Sequence, residues 1–113
     1  MLKIKGNKIY ISRGEHASFD IALFNEKGET VELEEGAVLY FSVKKYEKDE
    51  NYAIAPKALN GTTLVIEEED TRDLQFGPYL YDIMLIDSSD DPYYIIDPTL
   101  FSIEPVITAR GDR

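Results

Sequence analysis

The chain contains no cysteine. Disulfides, thiolate metal sites and a cysteine nucleophile are therefore excluded, and the fold must be held by its core alone. Small secreted domains often depend on disulfides, so the expectation is a reducing compartment. Histidine is nearly absent too: His16, the only one, follows a turn with no nucleophile arranged beside it. It reads as a solvated turn residue rather than the oriented base of a hydrolytic triad. Long apolar runs are missing, with none near the roughly 18 residues of a transmembrane helix. Residues 1–11 alternate lysines with aliphatics, unlike the continuous apolar stretch of a signal peptide. Synthesis and folding in a cytoplasm are expected.

Basic residues are also few. Twelve Lys and Arg stand against 22 Asp and Glu, a formal net charge of -10. That exceeds the magnitude of about 2–8 usual for a small soluble domain. Such a surface repels phosphate backbones and anionic headgroups, so neither nucleic acid nor membrane is an expected partner.

What is present is a series of short alternating runs punctuated by turn residues. The length, 113 residues, suits one domain spanning 1–113, with 109–113 as a frayed polar tail. Strands are expected at 8–12, 17–24, 37–45, 62–67, 78–87, 93–96 and 100–108. Their inward residues are Ile9 and Ile11; Phe19, Ile21 and Leu23; Leu39, Phe41 and Val43; Leu64 and Ile66; Tyr79, Tyr81, Ile83 and Leu85. Asn25 to Gly28 reads as a hairpin-type turn and Asn60-Gly61 as another. Residues 68–74 suggest one helical turn capped by Asp70 or Thr71. Asp97-Pro98 breaks the last strands apart, and Pro105 marks a bulge or an edge. No stretch of helical length is amphipathic, so the class is all-β.

One corner is more specific. A turn at Asp70-Thr71 precedes Leu74, then Gly77, then Tyr79, with Tyr81 two residues later on the same face. In immunoglobulin-like domains a tyrosine opens strand F, two residues before the second core cysteine, and its hydroxyl bonds to backbone upstream. Tyr79 fits that role and Tyr81 the cysteine position, against the alternative of two ordinary strand tyrosines. The expected fold is an immunoglobulin-like antiparallel β-sandwich.

A pattern of segments extends over most of the chain outside 46–60. Arg13-Gly14-Glu15 leads to Phe19-Asp20-Ile21, then Gly28, Leu33 and Phe41-Ser42-Val43-Lys44-Lys45. Asp70-Thr71, Leu74, Gly77, Tyr79 and Tyr81-Asp82-Ile83 follow, and Phe101-Ser102-Ile103-Glu104-Pro105-Val106-Ile107-Thr108 ends it. In this order and spacing the chain resembles a family of small phage and prophage structural proteins. It is similar to the N-terminal domain of upper baseplate proteins in phages of Gram-positive bacteria. The resemblance implies a non-catalytic virion module of tail, baseplate or head, made in the bacterial cytoplasm, with no cofactor and no catalytic residues. Its partners would be other virion proteins or further copies of itself. In multidomain baseplate proteins a partner-binding region follows, so residues 1–113 would be a free-standing module or accessory subunit. The competing readings are a carbohydrate- or protein-binding sandwich of a bacterial surface system and, behind it, a small hydrolase.

Acidic clusters at residues 67–70 and at Asp87, Asp90 and Asp91 suggest hard-cation chemistry, but the ligand spacing of a calcium loop is missing. They read as solvated surface, and no metal site is expected. Carboxylate pairs for glycoside hydrolysis lack a loop long enough to build a cleft, apart from 46–60. Arg110-Gly111-Asp112 spells an adhesion tripeptide that arises often by chance.

The feature closest to function is a second apolar face. Besides its inward residues, strand 78–87 carries Leu80, Met84 and Ile86; strand 37–45 adds Val38 and Tyr40, and 93–96 adds Tyr93 and Ile95. On one sheet these form a patch larger than monomeric proteins usually expose. Either 46–60, with Tyr52, Ile54 and Leu59, folds over it, or it meets another subunit. Self-association through this sheet is expected.

Overall fold

In a computed structural model that describes residues 3–109, the chain is built almost wholly of strands. In chain order these are β1 (Lys3–Lys5), β2 (Lys8–Ser12), β3 (Ala17–Asp20), β4 (Leu23–Phe24), β5 (Thr30–Val31), β6 (Val38–Lys44), β7 (Ile54–Ala58) and β8 (Thr63–Ile66). A single helical turn, α1 (Glu68–Thr71), precedes β9 (Gly77–Ile86) and β10 (Pro92–Glu104). The all-β class is correct. A six-stranded sheet runs β1-β2-β10-β9-β6-β7, with two-stranded ladders β3-β8 and β4-β5 beside it.

The alternation that marks the strands also decides what lies between the layers. Ile9, Ile11, Leu39, Phe41, Val43, Ile83, Phe101 and Ile103 from the large sheet are fully buried, together with Ile66 from β8. They form one cluster with Ala17, Ile21, Leu23 and Leu64. Phe19 and Leu85, also expected inward, are only partly buried against it. Successive residues of a strand point to opposite faces, so the period of two sends every second residue of β6 and β9 into this core.

Several boundaries differ from the sequence expectation. The sheet is mixed rather than purely antiparallel, because β2 pairs parallel with β10, Ile9 beside Phe101 and Ile11 beside Ile103. Run 17–24 is two strands: Ile21 bonds to the Thr62 carbonyl at 2.8 Å, and β4 then leaves to pair with β5. The expected break at Asp97-Pro98 is a pair of register shifts inside one strand, β10. Proline has no N–H for a ladder and is accommodated at such irregularities. The N-cap of α1 is Glu67 rather than Asp70 or Thr71, and Asp70 completes the cap from inside the turn by accepting the Glu67 amide at 2.8 Å. Arg110-Gly111-Asp112 and the end of the tail lie outside the described residues.

Segment 46–60 borders the outer face, through Tyr52 beside Lys44, rather than folding over it. It supplies β7, which extends the sheet beside β6. Ile54 and Leu59 turn into the core instead, at 5% and 7% exposure. Lys57 shares the core-side rung with Phe41 and reaches Asp70 at 2.8 Å, which accounts for a lysine on that side.

At the corner, Leu74 N–H donates to the Thr71 carbonyl at 3.0 Å, and Gly77 holds φ 125°. That angle strains any side chain, hence the glycine. The Tyr79 hydroxyl then donates to the Gln75 carbonyl at 3.0 Å, and Lys45 Nζ sits 4.4 Å over the Tyr79 ring while donating to the Pro78 carbonyl. The Tyr81 hydroxyl donates to the Asn7 carbonyl, tying β9 to the β1–β2 turn. Burial pushes the Tyr81 phenol up to about 12, so it stays a donor throughout the neutral range. Tyr79→Phe should cost on the order of 1 kcal/mol through the lost bond, and Tyr93→Phe distinctly less. Urea denaturation of both variants checks this, and equal losses would deny the corner any structural weight.

Candidate functional site

The outer face of the large sheet is laid out in rungs, because directly paired residues share a face. Val38 pairs with Ile86, and Ile86 with Pro92. Next, Tyr40 pairs with Met84 and Met84 with Tyr94. Ser42 then pairs with Asp82, and Lys44 with Leu80, which pairs in turn with Leu100.

The Ser42–Asp82 rung is where the face sinks. Its side chains are small, and both flanking strands lose register at this level. On one side the β6–β7 ladder slips between Phe41 and Val43, where Pro56 lies. On the other the β9–β10 ladder slips between Ile96 and Thr99, where Asp97 and Pro98 lie. The result is an open groove of about 280 Å³, walled by Tyr40, Met84 and Tyr94 toward one end and Leu80 and Lys44 toward the other. Tyr52 and Pro56 bound it on the β7 side and Pro98 on the β10 side. Lys44 Nζ lies 4.8 Å over the Tyr52 ring, and Glu47 adds a carboxylate at the margin.

Among the described residues, Asp82 is the only carboxylate on the groove floor. Half-buried, it accepts no hydrogen bond from the described residues. Burial raises its carboxyl above the usual carboxylate range; Lys44 pulls it down and Asp97 pushes it further up. The folded chain therefore holds this proton more tightly than the unfolded chain does. Its contribution to stability is fully present below the ordinary aspartate value, about 3.9, and is lost as pH rises through the folded value. Asp82→Asn removes that loss. The variant should gain on the parent as pH climbs from 3 to 7, with Lys44, Glu47 and Asp97 unchanged. Thermal midpoints measured across this range check it, and a difference constant with pH would contradict it.

Of the seven residues expected on this face, Tyr40, Leu80 and Met84 line the groove. Val38 and Ile86 share the face one rung beyond. Tyr93 does not belong: it pairs with Leu85, whose partner Leu39 is fully buried on the core side. Ile95 falls at the register shift between Tyr94 and Ile96 and lines a separate cleft with Phe19, Ile21 and Phe24. An irregularity of one residue breaks the alternation between its two sides, so with Ile96 paired to core-side Ile83 it is Tyr94, 60% exposed, that takes the place given to Tyr93. The sequence reading also passed over Asp82, although a lone carboxylate in the series Leu80, Asp82, Met84, Ile86 was a visible signal.

The cleft beside Ile95 is larger, about 520 Å³. Its one carboxylate is already engaged, since Asp20 accepts the Thr63 hydroxyl at 2.7 Å, and the Asn7 carbonyl there accepts Tyr81. The groove at Asp82 is the stronger candidate, because its carboxylate accepts no hydrogen bond from the described residues.

The other polar candidates hold local structure. His16 Nδ1 lies 3.3 Å from Glu67 Oε2, an exposed contact between the turn before β3 and the start of α1. Asp87 accepts the Ser89 and Asp91 amides, each at 2.9 Å, and so shapes its loop. Among the described residues no three acidic or histidine side chains gather for a metal, and no helix is long and apolar enough to cross a membrane. No protein-family model and no curated protein matches the chain.

Proposed function

We propose that this chain is a non-catalytic assembly module with an immunoglobulin-like sandwich fold, acting through protein–protein contacts in a phage or prophage particle. The observation that carries the contact role is the outer face of β6, β9 and β10. Tyr40, Met84 and Tyr94 form one apolar rung on it, while the second layer, β3 and β8, shares the core on the other side. Contiguous exposed apolar surface around a few polar groups marks interaction sites.

Two features support the sandwich. Strand order β10-β9-β6-β7 opposite β3-β8 parallels the G-F-C-C′ and B-E arrangement of variable-type domains. The Tyr79 hydroxyl reaches backbone four residues upstream, as at a tyrosine corner. The particle setting is supported by the order and spacing of the segments from Arg13-Gly14-Glu15 to Thr108.

The test is made on particles released when the bacterium carrying the gene is induced. Mass spectrometry of purified particles should find the chain. Met84→Lys, on the half-buried outer face, should keep the fold by circular dichroism and be lost from the particles. A chain that stays in the cell lysate while complete particles are released would overturn the assignment.

A further inference from the structure

The groove is a poor place for a second copy of this chain. Each copy carries a formal charge of -10, and a symmetric pairing would set Asp82, Asp97 and Glu47 against their own images. Like charges brought together at an interface core are unfavourable, and charged groups are normally complementary across it. Here the three carboxylates face one cation, Lys44, which is drawn aside over the Tyr52 ring.

The rest of the groove has the chemistry of a cation receptor. Tyrosine rings attract a cation held over their faces, and Tyr40, Tyr52 and Tyr94 all line the groove. Tyr52 already takes Lys44 in this way, an intramolecular instance of the contact. Asp82 lines the same groove with no donor among the described residues bonded to it, in a position where burial disfavours its charge. A donor cation placed against it would relieve that cost and form a charge-assisted hydrogen bond. Pro56 and Pro98 close the two sides of the same rung, so the space suits a flat group entering from above. Guanidinium meets each condition: it is planar, always charged, bidentate toward carboxylates, and stacks on aromatic rings.

We infer that the groove over the Ser42–Asp82 rung receives the side chain of an arginine presented by a partner protein with a basic contact surface. This deepens the assembly reading and rests on it.

The test is a titration of the isotope-labelled chain, followed by NMR, with n-butylguanidinium and with N-butylurea, its neutral counterpart. The cation should give saturable shifts at the amides of Ser42, Asp82 and Met84, with affinity roughly tenfold or more above that of the urea. Asp82→Asn should reduce the cation to the level of the urea while leaving the rest of the spectrum in place. Equal binding of the two probes, no saturation, or an unchanged affinity in Asp82→Asn would overturn the inference. So would dimerisation through this face in the absence of any probe. The two readings fail separately. If the cation does not bind but Met84→Lys still removes the chain from particles, the assembly face stands and its occupant is apolar. If the cation binds as expected but the chain is absent from particles, the groove stands and the particle role falls.

Discussion

Phe41→Ala should destabilise the chain by about 3–5 kcal/mol, a large part of the roughly 5–15 kcal/mol that holds a domain of this kind. Phe41 lies at the middle of β6 and is fully buried. Its ring centroid is 5.6 Å from that of Tyr81 and 5.8 Å from that of Phe101, and the last two are 6.2 Å apart. The tilted and edge-on geometries are the favoured ones, each worth a little beyond the area buried. Truncation removes the transfer energy of the ring and leaves a cavity among three strands, which a close-packed core relaxes only in part. Tyr40→Ala, one residue earlier and on the opposite face, should lose much less, because a half-exposed ring gives up less buried area. Urea denaturation of the two variants decides between them. A larger loss in Tyr40→Ala than in Phe41→Ala would mean that β6 shows its other face to the core. That would invert every rung on which the groove at Asp82 is built.

The same contrast explains how far the fold could be read in advance. Wherever a strand has one buried and one exposed face, the period of two shows in the residue types. Ile9 and Ile11, or Leu39, Phe41 and Val43, were legible for that reason. The Asn25 turn was legible because its chemistry is local: the side-chain oxygen accepts the Lys27 and Glu29 amides, and Gly28 supplies φ 77°. Segment 46–60 was not. Lys57 faces the core side only because Asp70, thirteen residues away, waits there, and nothing near it in sequence announces this. Tyr93 and Tyr94 were exchanged because the shift at Ile95 arises from how β10 fits β9, not from either strand alone. The groove inherits that limit. Its walls were half visible as surplus apolar residues, whereas its depth comes from two register slips at one level, a property of paired strands.

Thr71→Val should be the most damaging substitution of a polar side chain, at about 1–3 kcal/mol, although it changes the shape very little. Thr71 is the one fully buried polar residue among those described, at 0% exposure. Its Oγ1 accepts the Gly14 amide at 2.8 Å and so ties the turn between β2 and β3 to helix α1. Gly14 sits at φ 80°, where a residue with a side chain would be strained, so the turn has little freedom to find another acceptor. Valine fills the same space but offers no oxygen, leaving that N–H without a partner. The effect should travel further than the energy suggests, because Thr71 also accepts Leu74 N–H through its carbonyl and so anchors the approach to Gly77 and Tyr79. Thr71→Ser separates the two roles of the side chain. It keeps the oxygen and drops the methyl, so its loss should be the smaller. Amide exchange read by NMR gives a local measure alongside the denaturation midpoint. The Gly14 amide should exchange much faster in Thr71→Val than in Thr71→Ser. If Gly14 stays equally protected in both, the hydroxyl is not what holds the turn, and the loss in Thr71→Val is one of packing alone.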